Sequence, residues 1–441
     1  MTISRFWRLC LPALACGASA FAQTSAQLGL PPGVLLLSRI KRNMQQTLDR
    51  LPAYACLENV DRLVRDSPEK PIHASDALRL EVVAIGEKEL FAWPGDQSTF
   101  RNDISVPGFN SSGEFFSTSR AVFSRRSQAI IHYRGRETFQ GIPAARYDFT
   151  ISSNFFRWTL NIEGREALVD TSGTFWADAA TADLLRLESW PLQIPPELGL
   201  TSLVSAIDYN RLVLSGQSYL FPFSAVVTMI RADGRESQNQ MQFTHCREFK
   251  AESHLVSSDT VPAEAPPPST VEFQVPPGLT FPVSLAAAVD LTQARVGDPI
   301  QGSLDADVRD KHGLVAPKGA RLLGRVRLIQ QGQGPAASYL IAGFEFTDLE
   351  FADSSGLRRH APFYAFFRDA MILPGIAREI ANTNKHNWST GDSGWIDMGQ
   401  TEKILPPVLP GVAVLFVEKG RRTVPKGFRL DWESTQFPHK Q

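Results

Sequence analysis

"GTFWADAATADLLRLESW", residues 173–190, decides how this chain is read. A strand-like run leads into six polar and small residues, "DAATAD", and a second strand-like run leads out. That is an antiparallel hairpin. The neighbouring segments repeat the pattern. In "RYDFTIS", Tyr147, Phe149 and Ile151 alternate with Arg146, Asp148 and Thr150. In "RWTLNIE", Trp158, Leu160 and Ile162 alternate with Arg157, Thr159 and Asn161. Period-two alternation of this kind marks antiparallel strands with one face buried. "LFPFSAVVTMIRADGRESQNQMQFTHCREF" reads as a further hairpin turning at Asp233-Gly234, a strong local turn signal. Its "AVVTMI" run is apolar on both parities, so this strand is expected to be covered on both faces.

One segment has the other period. In "GVLLLSRIKRNMQQTLDRLP", Leu36, Ile40, Met44 and Leu48 recur every four residues, opposite Arg39, Arg42, Gln46 and Asp49. This predicts an amphipathic helix that ends at Pro52 and lies on the sheet. Arg39 and Lys41 interrupt its apolar run too early for a membrane span.

The chain opens with "MTISRFWRLCLPALACGASAFAQ". Arg5 and Arg8, a short apolar run, and Ala20-Phe21-Ala22 make a secretory signal peptide over residues 1–22. An acylated Cys16 in "ALAC" is the weaker reading, because the apolar run before it is very short. Export to the periplasm or outer envelope of a Gram-negative bacterium is therefore expected. Of the four cysteines, Cys10 and Cys16 lie in this leader. Cys56 and Cys246 remain, and in an oxidising compartment they are expected to pair. Two buried free thiols are the alternative. A bridge would close a loop of about 190 residues between the first and last strands of the first sheet.

Residues 256–278 are rich in proline and lose all apolar periodicity, which marks a linker. A domain over residues 33–255 precedes it and another over 279–436 follows. In the second, "ARLLGRVRLI" alternates. In "AGFEFTDLEFADSSG" the apolar parity switches at Thr347-Asp348, which predicts a β-bulge. Two more strands are expected around Lys419-Gly420. Residues 371–400 fit neither period and read as a long loop. The fold class that follows is mainly β: an N-terminal helix packed on a curved antiparallel half-barrel, then a small C-terminal β-barrel.

Chemistry is sparse. The formal net charge of −1 leaves no footprint for nucleic acid. "GDSG" at 391–394 lacks the histidine motif and the continuation that a serine nucleophile needs. The eight histidines are scattered, with no HExxH. No P-loop or dinucleotide fingerprint is present, so neither metal nor cofactor is expected. Asp170 and Asp178 flank one strand and could face one cleft as a carboxylate pair, but solvated strand ends are the reading favoured over that. Aromatic residues are dense between Phe91 and Trp158. They read either as core packing or as the lining of an apolar cavity, with "GFNSSGEFFSTSRAVF", residues 108–123, as a lid bearing exposed phenylalanines. On the cavity reading, Phe115, Phe116, Phe149, Trp158, Leu160 and Trp176 line it.

The stretches "GIPAARYDFTI", "GTFWADAATADLLRLE" and "YNRLVLSGQSYLFPFSAVVTMI", behind a leading helix, resemble the LolA-like lipoprotein-carrier superfamily over residues 33–255. The resemblance implies a curved sheet wrapped on a helix and an apolar cavity for acyl chains. The paired cysteines and the C-terminal extension depart from it. "VLLLSRIKRNMQQTLDRLPAYACLENVDR" and "FTHCREFKAES" together are similar to secreted proteins of acidobacteria. "LTQARVGDPIQGSLDADVRDKHGLVAPKGARLLGRV", residues 291–326, resembles the TrbI-like domain of conjugation and type IV secretion channel subunits. That implies a β-barrel used for assembly, with Pro317 and Gly319 building its turn. The function expected is a non-enzymatic envelope protein that binds a lipid, an acyl chain or a peptide in its first domain. A structural assembly module acting through the second domain, and a hydrolase with an unrecognised site, are the alternatives.

Overall fold

A computed structural model of the chain describes residues 31–86, 88–96, 100–102, 106, 108–249, 270–333, 338–367, 369–372, 395–397, 411–418 and 422–436. The leader with Cys16, most of the proline-rich linker, the GDSG stretch within the 371–400 loop, and Lys419-Gly420 lie outside the described residues.

Helix α1, Pro32–Arg50, buries the predicted stripe of Leu36, Ile40 and Met44, while Leu35 is 51% exposed. Proline at its start costs no hydrogen bond, since the first N–H groups of a helix have no partner within it. Its N-terminus is pinned from the sheet, where the Tyr147 hydroxyl donates to the Gly33 carbonyl at 2.8 Å. Only glycine fits there, because a Cβ on Gly33 would sit 2.6 Å from the Tyr133 ring. On the polar face, Arg39 donates to the Ala180 carbonyl (2.8 Å) and Asn43 to that of Thr181 (3.2 Å). The helix is thus fastened to the "DAATAD" reversal.

Twelve strands follow between residues 54 and 248. They are β1 (Tyr54–Arg65), β2 (His73–Ile85), β3 (Lys88–Ala92), β4 (Ile130–Phe139), β5 (Ile142–Ile151), β6 (Trp158–Ile162), β7 (Arg165–Val169), β8 (Thr171–Asp178), β9 (Leu184–Pro191), β10 (Leu200–Leu214), β11 (Gln217–Arg231) and β12 (Glu236–Glu248). Ten of them form one curled antiparallel sheet in the order β3-β2-β1-β12-β11-β10-β9-β8-β5-β4. The predicted hairpin is β8–β9, whose reversal is held by Asp178 Oδ1 accepting from the Ala180 and Thr181 amides at 2.7 and 3.1 Å. Gly234 closes the β11–β12 turn at φ +81°, as Asp-Gly requires. In "AVVTMI", Ala225, Val227 and Met229 are buried but Val226, Thr228 and Ile230 are only half-buried, so the second face of β11 is not fully covered.

Cys56 on β1 and Cys246 on β12 are joined in a disulfide. β1 and β12 are neighbours in the middle of the sheet rather than its two edges. Phe115, Phe116 and Phe123 are 1%, 5% and 0% exposed, which overturns the expected exposure of the phenylalanines in this segment. Phe115 instead packs on Tyr54 and Phe243, with ring centres 4.9 and 5.0 Å away. Burying such rings is worth about 2–3 kcal/mol each, and the segment has no periodicity to advertise it.

Beyond residue 270 the chain builds an eleven-stranded sheet around the strands Arg321–Gln333 and Ser338–Ala352. The register skips at Thr347, the predicted bulge, so Phe344, Phe346 and Leu349 all reach the core. Thr270–Glu272, inside the expected linker, pairs in parallel with Arg358–Pro362. The turn at Pro317–Gly319 closes with the Ala320 amide donating to the Pro317 carbonyl at 3.1 Å.

The two sheets meet at β2. Strand β3 pairs with β2 only from Glu81 onward. Val296 takes the next place on the same edge, donating to the Ala77 carbonyl and accepting from the Arg79 amide, both at 2.8 Å. Arg79 also meets Asp298 at 2.7 Å, and the guanidinium groups of Arg325 and Arg327 each lie 5.5 Å from the centre of the Trp93 ring.

A candidate ligand cavity on the concave face

Alternation along β1 turns Tyr54, Cys56, Glu58, Val60 and Arg62 toward the concave face. The paired registers bring Leu78 and Leu80 beside them from β2, and Met241 and Asn239 from β12. Val227 on β11 and Leu203 on β10 continue this floor. Two segments outside the sheet cover it. One is the β6–β7 hairpin, tied at its tip by Arg231 to Glu163 at 2.8 Å. The other is residues 106 and 108–117, which run into the short helix α2, Ser117–Phe123. Between floor and cover lies a cavity of about 1170 Å³.

Segment 108–117 is held down by polar side chains from the sheet as well as by the packing of Phe115 and Phe116. Arg62, paired through two nitrogens with Asp76, also donates to Asn110 Oδ1 at 3.3 Å. Asn239 Nδ2 donates to the Phe109 carbonyl at 3.2 Å. The Glu89 carboxylate accepts from the amides of Gly113 (2.9 Å), Phe116 (3.1 Å) and Ser117 (3.2 Å), and from the Ser117 hydroxyl. Glu114 accepts from the Ser205 hydroxyl at 3.3 Å. Backbone groups that no strand or helix satisfies are thereby paired, as burial requires.

Three carboxyls therefore share the inner end. Glu58 and Glu114 are 5% and 6% exposed, and Glu89 is partly buried. Burial, and then the charges of Glu89 and Glu114, hold the Glu58 carboxyl well above its ordinary range. Burial pushes Glu114 up to about 7, with Glu89 adding to the effect. Burial also raises Glu89, against the pull of its four donors. Low-dielectric surroundings penalise the charged form, and adjacent like charges deepen the penalty. Glu58 Oε2 and Asn239 Oδ1 are buried without a hydrogen-bond partner.

The residues singled out from the sequence separate into three groups. Trp158 and Leu160 line the cavity from the covering hairpin. Phe115, Phe116 and Phe149 are in the core of the first sheet rather than on the cavity wall. Trp176 projects from the other face of β8, stacked on Phe139 with ring centres 4.9 Å apart and donating to Glu137. Asp170 and Asp178 sit at opposite ends of the β8 region, where Asp170 accepts from the Ser153 amide at 2.7 Å and Asp178 closes its own turn. Glu58 had a readable signal: it falls on the inward parity of "YACLENVDR", where a carboxylate is costly. Asn239 had the same signal, on the parity of Met241 and Phe243, whereas Glu114 had none, because its burial depends on a segment without period. Among the described residues no three His, Cys, Asp or Glu side chains are arranged to hold a metal ion. No helix among them is long and apolar enough to cross a membrane.

No family model and no curated protein matches the chain. Solved structures similar to it include an outer membrane lipoprotein-sorting protein domain from Vibrio parahaemolyticus, at 10% identity and a TM-score of 0.28, covering 48% of this chain and 91% of that one. A LolA superfamily protein from Nitrosomonas europaea is 9% identical with a TM-score of 0.27, over 50% of this chain and 94% of that one. A DUF1329 family protein from Desulfovibrio piger is 13% identical with a TM-score of 0.27, over 49% and 93%. At these values the likenesses bear on neither activity nor ligand.

Proposed function

We propose that this chain is an exported, non-enzymatic binding protein of the bacterial envelope, and that its concave-face cavity takes the apolar chain of a lipid-like ligand. The cavity itself carries the reading. Its volume of about 1170 Å³ exceeds the ~300–1,000 Å³ typical of small-molecule sites. Its walls include Val60, Leu78, Leu80, Leu203, Val227 and Met241 from the sheet, with Trp158 and Leu160 from the cover. The Cys56–Cys246 bridge supports an oxidising compartment. The stretch that resembles a TrbI-like assembly module, residues 291–326, includes Val296 and Asp298, which engage β2 of the same chain. We read that stretch first as an intramolecular clamp.

The test is direct. Organic extracts of the purified protein, analysed by mass spectrometry, are expected to contain about one acyl-chain lipid per chain. A neutral fluorescent alkyl probe should then bind the delipidated protein saturably, and Leu203→Trp or Val227→Trp should abolish that binding while far-ultraviolet circular dichroism stays native. An empty extract together with no saturable binding by the folded protein would overturn the reading. Competition by an extended apolar peptide, but not by lipids, would transfer the cavity to a peptide ligand.

A further inference from the structure

We propose that the ligand of this cavity is a cationic amphiphile, whose ammonium head is received by Glu58 and Glu114 while its chain lies along the apolar floor. The proposal rests on the cavity reading above and specifies the chemical class of its occupant.

The polar atoms that the fold leaves unused inside the cavity are acceptors. Glu58 lines the cavity, and its Oε2 is buried without a partner. Four residues along the neighbouring strand from the partner of Glu58, Asn239 is 2% exposed and also lines the cavity. Its amide nitrogen is committed to the Phe109 carbonyl, which leaves Oδ1 as the free end. A buried acceptor without a donor costs about 1–3 kcal/mol, more for a carboxylate. At about 3.3 Å per strand residue the two acceptors stand too far apart to share one head group, so the ammonium is assigned to Glu58 and Asn239 lies farther along the floor. An ammonium group has three donors and no acceptor, which matches this lining.

Charge points the same way. The charges acting on Glu58 are those of Glu89 and Glu114, both carboxylates. The nearby cations are otherwise engaged or outside. Arg62 is committed to Asp76 and Asn110, and Arg231 to Glu163. Lys88 and Arg157 are exposed at the rim. A fatty acid or phospholipid would place another anion beside three carboxyls in a low-dielectric site, whereas an ammonium neutralises one of them.

In the empty cavity, burial and two neighbouring carboxyls disfavour the charged form of Glu58. When the ammonium enters, Glu58–COOH and R–NH₃⁺ become a carboxylate–ammonium pair, and the proton goes to the buffer. No bond to carbon changes and no redox partner is needed. Binding is therefore coupled to the release of about one proton.

Titration calorimetry of the full chain with dodecylamine, dodecanol and dodecanoic acid, below their micellar concentrations, tests this. The amine is expected to bind at least tenfold tighter than the alcohol, and the acid more weakly than the alcohol. The amine's heat should vary with the buffer's ionisation enthalpy by about one proton released, and its affinity should rise from pH 5.5 to pH 8. In Glu58→Gln/Glu114→Gln the amine should bind no tighter than the alcohol. Should that variant not fold, the buffer dependence in the natural protein decides alone. Alcohol and amine binding equally, without proton release, would overturn the cationic head and leave the apolar cavity standing. A tighter acid would overturn it too. Failure of all three against folded, delipidated protein would remove both readings.

Discussion

Cys56 on β1 is bonded to Cys246 on β12 with their Cα atoms 4.0 Å apart, at a bulge where His245 and Cys246 together oppose the single residue Cys56. His245 takes a left-handed φ of +50° to admit the extra residue. The bond therefore links strands that already pair along eleven other positions of β1, so its main effect is on the unfolded chain.

The size of that effect follows from the 190-residue separation. Loop-closure entropy predicts up to about 5 kcal/mol, with native proteins usually showing about 2–5. Cys246→Ser, or mild reduction, should lower the urea midpoint accordingly and leave the far-ultraviolet spectrum native. A midpoint unchanged on reduction would contradict this role.

Glu114 sets a pH dependence. Its carboxyl is held at about 7 in the folded chain against an ordinary 4.5. The folded state binds this proton more tightly than the unfolded one. Its favourable contribution is complete below pH 4.5 and is lost as pH rises through 7, leaving folding weaker by about 3 kcal/mol above that. Glu58 is shifted in the same direction. In urea titrations between pH 4 and pH 8, Glu114→Gln should match the natural protein at the acid end and be more stable at pH 8. Parallel pH profiles for the two proteins would show that the burial penalty is absent.

The helix offers an internal control. Ile40 is fully buried against the sheet, so Ile40→Ala should cost about 2–5 kcal/mol in thermal or urea unfolding. Five residues earlier, Leu35 is 51% exposed, and Leu35→Ala should stay within about 0.5 kcal/mol. Similar losses at both sites would mean that the helix does not lie on the sheet by its 36–40–44 face.

At the junction of the sheets, Gly297 has φ +104°, and a Cβ there would meet the Arg79 carbonyl and the Trp93 ring. Gly297→Val should part Val296 from β2, costing about 1–3 kcal/mol and enlarging the radius of gyration in solution X-ray scattering. Asp298→Ala removes the Arg79 ion pair but keeps the backbone pairing, so its effect should be smaller. An unchanged scattering profile for Gly297→Val would count against this docking.

Residue order alone determined what repeats locally. The four-residue spacing of Leu36, Ile40 and Met44, the two-residue spacing of Tyr147, Phe149 and Ile151, the Asp233-Gly234 turn and the parity switch at Thr347 each act within a few residues, and all appear where their periods place them. The pairing of Cys56 with Cys246 followed from compartment and count. What only the tertiary structure decided was which side of each strand meets which segment. Phe115 and Phe116 belong to the core, Trp176 lies on the outer face, and Glu58, Glu114 and Asn239 converge on one cavity. Residues 108–117 have no period, and Glu114, Phe115 and Phe116 are buried there while Arg62, Glu89, Asn239 and Ser205 hold the segment down. Those partners come from strands as much as 130 positions away along the chain. Burial of this kind depends on sheet curvature and register, which no local spacing encodes.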